Sequence, residues 1–270
     1  MAPKIGLKTD NIFYEGEDNL NFDVLEITTK DPKFTFNIKK VLKIKEYLKG
    51  KDVSMHTQTS RIFSCNVHKV PSFNEAELNV LKAEIIVSKI LGIKELIFHL
   101  KQEKLTKKEK SILKGILLFA KKKNVELIYE SNQNLIASTC LDVLASFPKL
   151  QYTLDLGHLN TSIGNKTLGM DLNEFIDKIK NRVIYVHAHN NNGLEDEHKS
   201  LEKGTLDWKS VLDKLDLSKI RKILMEVRTA EDILNTKKLL EDYFNKQIKK
   251  DVEEISKKIK RSSAIRFNEI

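Results

Sequence analysis

Eight short apolar runs recur along the chain, and their alternation with longer segments of helical period constrains the fold more than any other feature. The runs are IGLK (5–8), DVLEI (23–27), DVSM (52–55), ELIF (95–98), VELIY (125–129), QYTL (151–154), VIYV (183–186) and KILM (222–225). Between them, and after the last, apolar residues return at helical spacing over 37–49, 72–91, 106–123, 134–146, 171–180, 208–215 and 230–249. The first crossover, around 14–20, is too short for a full helix. Continuous apolar strands each followed by a helix imply a parallel sheet covered on its outside. Eight such units predict an α/β fold of one domain, a closed (β/α)8 barrel over residues 1–248, with an open doubly wound sheet as the alternative. Residues 249–270, KKDVEEISKKIKRSSAIRFNEI, are set apart as a basic C-terminal helix and tail.

With 40% apolar residues among 270, the chain has material for one large core. No apolar stretch approaches 18 residues and no opening run resembles a secretory h-region, so a cytoplasmic protein is expected. Cys65 and Cys140 match no thiolate-cluster spacing and are expected to be reduced. The net charge of +9 favours a polyanionic partner if the excess lies near the working face. Runs such as KKEK (107–110) and KKK (121–123) fall within helical patterns and read first as solvated faces.

The residues at the strand ends are more informative. His56, His99, Glu130, Asp155, His187 and Glu226 each come immediately after one of the last six runs. A barrel brings these positions together at its C-terminal mouth. His158, Asp196 and His198 lie a few residues further on, within reach of the same mouth. Several ionised carboxylates gathered without cations would be electrostatically costly, whereas Zn2+ or Mn2+ suits mixed imidazole and carboxylate ligands. The pattern predicts a metal centre.

SMH (54–56), LGIKELIFH (91–99), IYESN (128–132), LDLGH (154–158), HAHN (187–190), DEH (196–198), GTLDW (204–208) and LMEV (224–227) stand in that order at the strand ends. Over about residues 4–245 the chain thereby resembles the xylose-isomerase-like TIM barrel superfamily (AP endonuclease family 2), which includes endonuclease IV and many sugar isomerases and epimerases. The metal shell is most similar to that of endonuclease IV, and the resemblance implies up to three Zn2+ ions. Glu130 would bridge two metals, His56 and His99 would complete one, and Asp155, His187 and Glu226 would hold its neighbour. His158, Asp196 and His198 would hold the third, leaving His189 as a supporting or substrate-binding group. The substrate side departs from that pattern. Thr59 replaces a tyrosine, DTCH reads DLGH, HxND reads HAHN, Glu202 replaces a glycine, and the segment 10–18 offers no counterpart of a DNA-gripping loop.

Two chemistries are compatible with this set. As a phosphodiesterase the protein would act on duplex DNA at abasic sites, with Glu130, Glu226 and His158 catalytic. Arg61, Lys69, Lys101, Asn160, Lys199 and Lys203 on the mouth loops would then contact phosphates. As a sugar or sugar-phosphate isomerase or epimerase it would need one Mn2+, Zn2+ or Co2+ on Glu130, Asp155, His187 and Glu226. Glu130 and Glu226 would then exchange a proton with the substrate while His158 binds a hydroxyl. Phe13, Tyr14, Phe63 and Trp208 are candidates to line a sugar face, although Trp208 in LDW reads first as core. A noncatalytic binding protein on an inherited barrel is the third reading. The full set of nine ligands and the basic charge put the endonuclease first.

Overall fold

The computed structural model describes residues 3–9, 22–28, 37–57, 75–100 and 103–267. Eight parallel strands close into a barrel: β1 (Lys4–Thr9), β2 (Val24–Thr28), β3 (Asp52–His56), β4 (Glu95–His99), β5 (Glu126–Glu130), β6 (Gln151–Asp155), β7 (Val183–Ala188) and β8 (Lys222–Met225). Closure is made by β1 against β8, where Lys4 to Leu7 register with Lys222 to Met225. That pairing excludes the doubly wound alternative. Each strand matches its sequence run to within two residues, because a short β-branched or apolar run bounded by polar residues suits a strand buried on both faces.

The helices are α1 (Ile38–Tyr47), α2 (Glu75–Leu91), α3 (Lys107–Lys122), α4 (Ala137–Ser146), α5 (Leu156–Gly164), α6 (Leu172–Ile179), α7 (Trp208–Leu212) and α8 (Ala230–Phe267). Three features differ from the sequence expectation. Helix α5 has no counterpart in it; LGHLNTSIG is only nine residues long, follows a strand directly and carries glycines and β-hydroxyl residues that disfavour helix interiors. Helix α7 stops at Leu212 rather than 215. Helix α8 runs through Lys249 without a break.

Strands and helices enclose a continuous apolar sheath that includes Leu25, Leu96, Leu127 and Leu154 from the strands with Ile85, Leu113, Val143 and Phe175 from the helices. Trp208 belongs to it, 5.5 Å from Tyr243 in an edge-to-face contact, so it packs in the core and does not line the mouth. Cys140 is a buried free thiol. A second, smaller cluster of Ile97, Ile128, Ile184, Tyr185 and Leu224 packs separately from the sheath. The period of two along each strand divides the barrel interior into layers. Glu95, Ile97 and His99 on β4, and Lys222, Leu224 and Glu226 along and just past β8, run from an ionic floor through an apolar middle to a rim of potential ligands. Among the described residues, no helix is long and apolar enough to cross a membrane.

Candidate metal centre

Strand register puts the ligands side by side. His99 pairs with Glu130 across β4 and β5, and Asp155 pairs with His187 across β6 and β7. Beyond β6 the chain turns directly into α5, whose N-cap is Asp155 itself, accepting from the His158 N–H at 2.7 Å. One carboxylate therefore starts the helix and aims His158 at the mouth.

Glu130 is fully buried at the centre. Its Oε2 lies 2.9 Å from His56 Nε2 and 3.7 Å from His99 Nε2; its Oε1 lies 3.2 Å from His187 Nδ1 and 3.6 Å from His158 Nδ1. His187 Nδ1 is also 3.2 Å from Glu226 Oε2 and 3.6 Å from Asp155 Oδ2. Further out, Asp196 Oδ2 lies 3.1 Å from His198 Nε2 and 3.6 Å from His158 Nε2, while its Oδ1 is 3.7 Å from His189 Nδ1. Four triads have ligand atoms within 4.8 Å of one another: His56, His99 and Glu130; Asp155, His187 and Glu226; Glu130, Asp155 and His158; and His189, Asp196 and His198. All nine expected ligands converge, with His158 grouped toward Glu130 and His189 grouped with Asp196 and His198.

Sequence reasoning missed Lys8 and Glu26. Lys8 Nζ is 2.7 Å from Glu226 Oε2 and 3.8 Å from Glu26 Oε1, and Glu26 Oε1 is 3.1 Å from His187 Nε2. The available signal was a charge inside an apolar run: Glu26 sits between Leu25 and Ile27, and Lys8 follows Leu7. A charge inside an inward-facing strand needs a partner there.

The expected substrate contacts divide between loop bracing and surface pairing. Asn160 is buried, its Nδ2 donating to Asn191 O and Oδ1 at 2.8 Å and to Thr205 Oγ1 at 3.0 Å, so it ties α5 to the loop after β7. Asn190 crosses the same loop, donating to Leu201 O at 2.9 Å and Leu206 O at 3.1 Å. Lys199 pairs with Glu197, and Lys203 pairs with Asp232 at 2.9 Å and Glu231 at 3.3 Å. Arg61, Lys69 and Lys101 lie outside the described residues, as do Phe13, Tyr14, Thr59, Phe63 and Cys65.

The charges test whether a cation fits. Glu26, Glu130, Asp155, Asp196 and Glu226 bring five carboxylates to the mouth, and Lys8 pairs with Glu226 and lies near Glu26. Burial alone would raise Glu130, yet His187, His99 and Lys8 hold it well below the usual carboxylate range. Glu226 is likewise depressed, burial being outweighed by Lys8 and His187. Burial pushes His99 down to about 3, which keeps a neutral lone pair available. For His158 burial acts downward too, but Asp155 and Asp196 push it up to about 10. His187 rises well above its ordinary value because Glu130 and Glu26 outweigh burial. The cavity thus recruits positive charge from its own imidazoles. Glu26 Oε1, His187 Nε2, His189 Nδ1 and Asp196 Oδ1 are buried without a hydrogen-bond partner of good geometry. A carboxylate excess, neutral or displaceable imidazoles and orphaned polar atoms fit divalent cations of the zinc or manganese kind better than hard, all-oxygen Ca2+ chemistry.

A family profile described as xylose isomerase-like TIM barrel matches residues 18–253. Uncharacterized protein MJ1311 of Methanocaldococcus jannaschii is 35% identical over 99 residues, 35% of this chain and 31% of that protein. Uncharacterized protein MJ1614 of the same organism is 35% identical over 86 residues, 31% of this chain and 30% of that protein. The chain therefore matches about a third of the length of these curated relatives. Among solved structures, a D-tagatose 3-epimerase-like protein superposes with TM-score 0.72 at 22% identity, covering 92% of this chain and 99% of that one. A xylose isomerase domain protein from Planctomyces limnophilus gives TM-score 0.73 at 13% identity, covering 91% and 99%. The TTHB071 protein of Thermus thermophilus, soaked with zinc chloride, gives 0.67 at 16% identity, covering 90% and 98%. At these identities the shared feature is the fold.

Proposed function

The chain belongs to the xylose isomerase-like TIM barrel family, and from that premise we propose that it is a divalent-metal-dependent phosphodiesterase of the endonuclease IV kind, cutting DNA at abasic sites. The observation that carries this reading is Glu130, a buried carboxylate with one oxygen 2.9 Å from His56 and the other 3.2 Å from His187, at the junction of two ligand sets. The further triads around His56 and His99 and around Asp196 and His198 could hold additional ions, which supports this reading, although a DxH pair such as Asp196 and His198 also suits a sugar enzyme. Zn2+ or Mn2+ held by these residues would supply Lewis acidity and a nucleophile at neutral pH for in-line displacement at phosphorus.

The chain's own groups support that chemistry. His56, His99 and Glu130 would hold one cation and Asp155, His187 and Glu226 its neighbour, with Asp196 and His198 at the centre of an outer site. The His158 Nδ1–H donates to Ser131 O at 3.0 Å, which leaves Nε2 facing Asp196 and the incoming phosphate. Lys8 offsets the charge of Glu226 from inside the barrel and keeps its second oxygen free. A net charge of +9 favours a nucleic acid as the polyanion. An abasic nucleotide lacks a stacked base and is cheaper to extrude into a mouth of this kind.

A second reading is a sugar isomerase or epimerase. It is favoured by the quartet around His187 Nδ1, with Glu130 and Glu226 oxygens each 3.2 Å away on separate strands, and by the epimerase-like proteins that share the fold. Those two glutamates would act as the acid and base pair across a substrate carbon.

The test is metal counting paired with two assays. Purified protein loaded with zinc or manganese is expected to hold about three equivalents and to incise a duplex carrying one abasic site, with EDTA abolishing incision. Loading at a single equivalent, no incision, and interconversion of ketohexoses would replace this reading with the sugar one.

A further inference from the structure

We propose that Lys8 and Thr28 form an oxyanion subsite on the β1–β2 side of the mouth, where an anionic oxygen of the substrate is held beside the bound cations. The subsite rests on the metal-centre reading but not on DNA as the substrate, and inorganic phosphate is the simplest ligand of this class.

A parallel barrel turns one residue of each strand inward at its mouth. On β3 to β8 that residue, at the strand end or just past it, belongs to the two ligand triads around Glu130 and His187. The two remaining positions fall to Lys8 on β1 and Thr28 on β2. Lys8 registers with Glu26 across β1 and β2, and Thr28 registers with His56 across β2 and β3. Glu26 points inward, its Oε1 3.1 Å from His187 Nε2, so the period of two turns Thr28 to the same side, one layer nearer the rim. Lys8 points inward as well, with Nζ 2.7 Å from Glu226 Oε2. Lys8 and Thr28 are therefore diagonal neighbours across one strand pair, a spacing that a side chain as long as lysine can bridge.

Both residues have donors to spare. Thr28 is 4% exposed, and its hydroxyl has no hydrogen-bond partner. The sheet does not require that hydroxyl, because valine fills the same β-branched shape, and a buried hydroxyl left unpaired is costly. The Lys8 ammonium carries three N–H donors, and among the described residues its hydrogen bond to Glu226 uses one. Glu26 Oε1, at 3.8 Å, is too far to use a second. A neutral substrate oxygen would need no more than the hydroxyl; an ammonium beside it selects an oxygen that carries charge. The carboxylates of the mouth would repel such a ligand unless cations occupy the triads, so the subsite works only in loaded protein.

The test uses the full chain loaded with zinc, its zinc content measured by elemental analysis, with inorganic phosphate titrated in by calorimetry at constant ionic strength. Loaded wild type is expected to bind phosphate. Thr28→Val, which removes the hydroxyl and keeps the shape, should bind it about 3–10-fold more weakly at unchanged zinc content. Lys8→Met should bind it about 10–100-fold more weakly. Wild-type phosphate affinity in zinc-loaded Thr28→Val overturns the subsite. If Lys8→Met does not fold or does not load, because Glu26 and Glu226 then face an apolar chain, Thr28→Val decides. Loaded wild type that takes up no phosphate overturns the subsite and leaves the metal centre standing, whereas wild type that binds no zinc brings down both.

Discussion

Which nitrogen of His187 faces a metal is decided by a residue outside the ligand set. Glu130 and Glu226 crowd Nδ1 at 3.2 Å each, and Glu26 Oε1 lies 3.1 Å from Nε2. The contact is not an aligned hydrogen bond, but the buried negative charge of Glu26 favours a proton on Nε2 and so leaves Nδ1 as the donor to the inner site. Glu26→Leu, which removes the acceptor at similar volume, is expected to weaken the inner metal by about 10–100-fold. Glu26→Gln, which keeps an acceptor oxygen, should lose less. Chelator competition on the two variants measures this, and identical affinities for Glu26→Leu and wild type would sink the idea. The case also marks what was legible. The nine ligands stood out because each is polar at or beyond a strand end, whereas Lys8 and Glu26 lie within strands, and a single charge inside an apolar run does not name its partner. The sequence assigns His189 as a supporting or substrate-binding group, but its contact with Asp155 and the room that Gly157 leaves for its ring exist only in three dimensions.

At the scale of elements, α5 shows how one residue serves two purposes. Its sequence would not hold a helix on propensity, and the Asp155 cap with Asn160 bonded into the loop after β7 compensates. In metal-free protein, Asp155→Asn, which keeps a capping oxygen, should stay close to wild type in stability, while Asp155→Ala should lose about 1 kcal/mol more. Both should lose tight metal binding, because neither retains the charged ligand. Urea melts with EDTA, beside zinc titrations, separate the two effects; equal stability of Asn and Ala variants would refute the capping role. Helix α3 supplies the contrast. Thr106 and Glu109 form a reciprocal capping box, with Thr106 N–H donating to Glu109 Oε2 at 2.7 Å. Thr106→Ala should cost about 1 kcal/mol with unchanged zinc loading, and a change in loading would mean that the outer helices set the rim. Long helices such as α2 and α3 were legible in the sequence; α5, nine residues directly after a strand, was not, because its stability comes from the Asp155 cap and tertiary hydrogen bonds.

The whole barrel sets its two ends against each other. At the mouth, carboxylates outnumber the fixed cation and leave room for metals; at the floor, fixed charges satisfy one another. Lys222, buried in β8, meets Asp52 at 2.8 Å and Glu95 at 3.2 Å, Tyr185 donates to Glu95, and Arg221 reaches Glu95 at 2.9 Å and Glu126 at 2.7 Å. This network joins β3, β4, β5, β7 and β8 beneath the Ile97 and Ile128 layer. Replacing Lys222 by Met leaves the carboxylates facing an apolar chain. The cost at pH 7 is expected to be about 3 kcal/mol, at the low end for breaking a buried pair because Asp52 and Glu95 keep some contact with water. Burial alone would raise Asp52 and Glu95, but Lys222 and Lys4 around the first, and Tyr185 with Lys222 and Arg221 around the second, hold both below their ordinary values. A carboxylate depressed in the folded state contributes stability above its unfolded pKa, about 4, and loses it as pH falls through the folded value. Wild type should therefore lose more stability in acid than Lys222→Met, and the gap between them should narrow below about pH 4. Denaturant melts of both proteins at pH 7 and at lower pH, with EDTA throughout so that metal release at the mouth does not enter, measure the gap. A gap that stays constant would mean that Lys222 stabilises the floor through its ammonium over the Tyr185 ring, 5.5 Å away, rather than through the carboxylates.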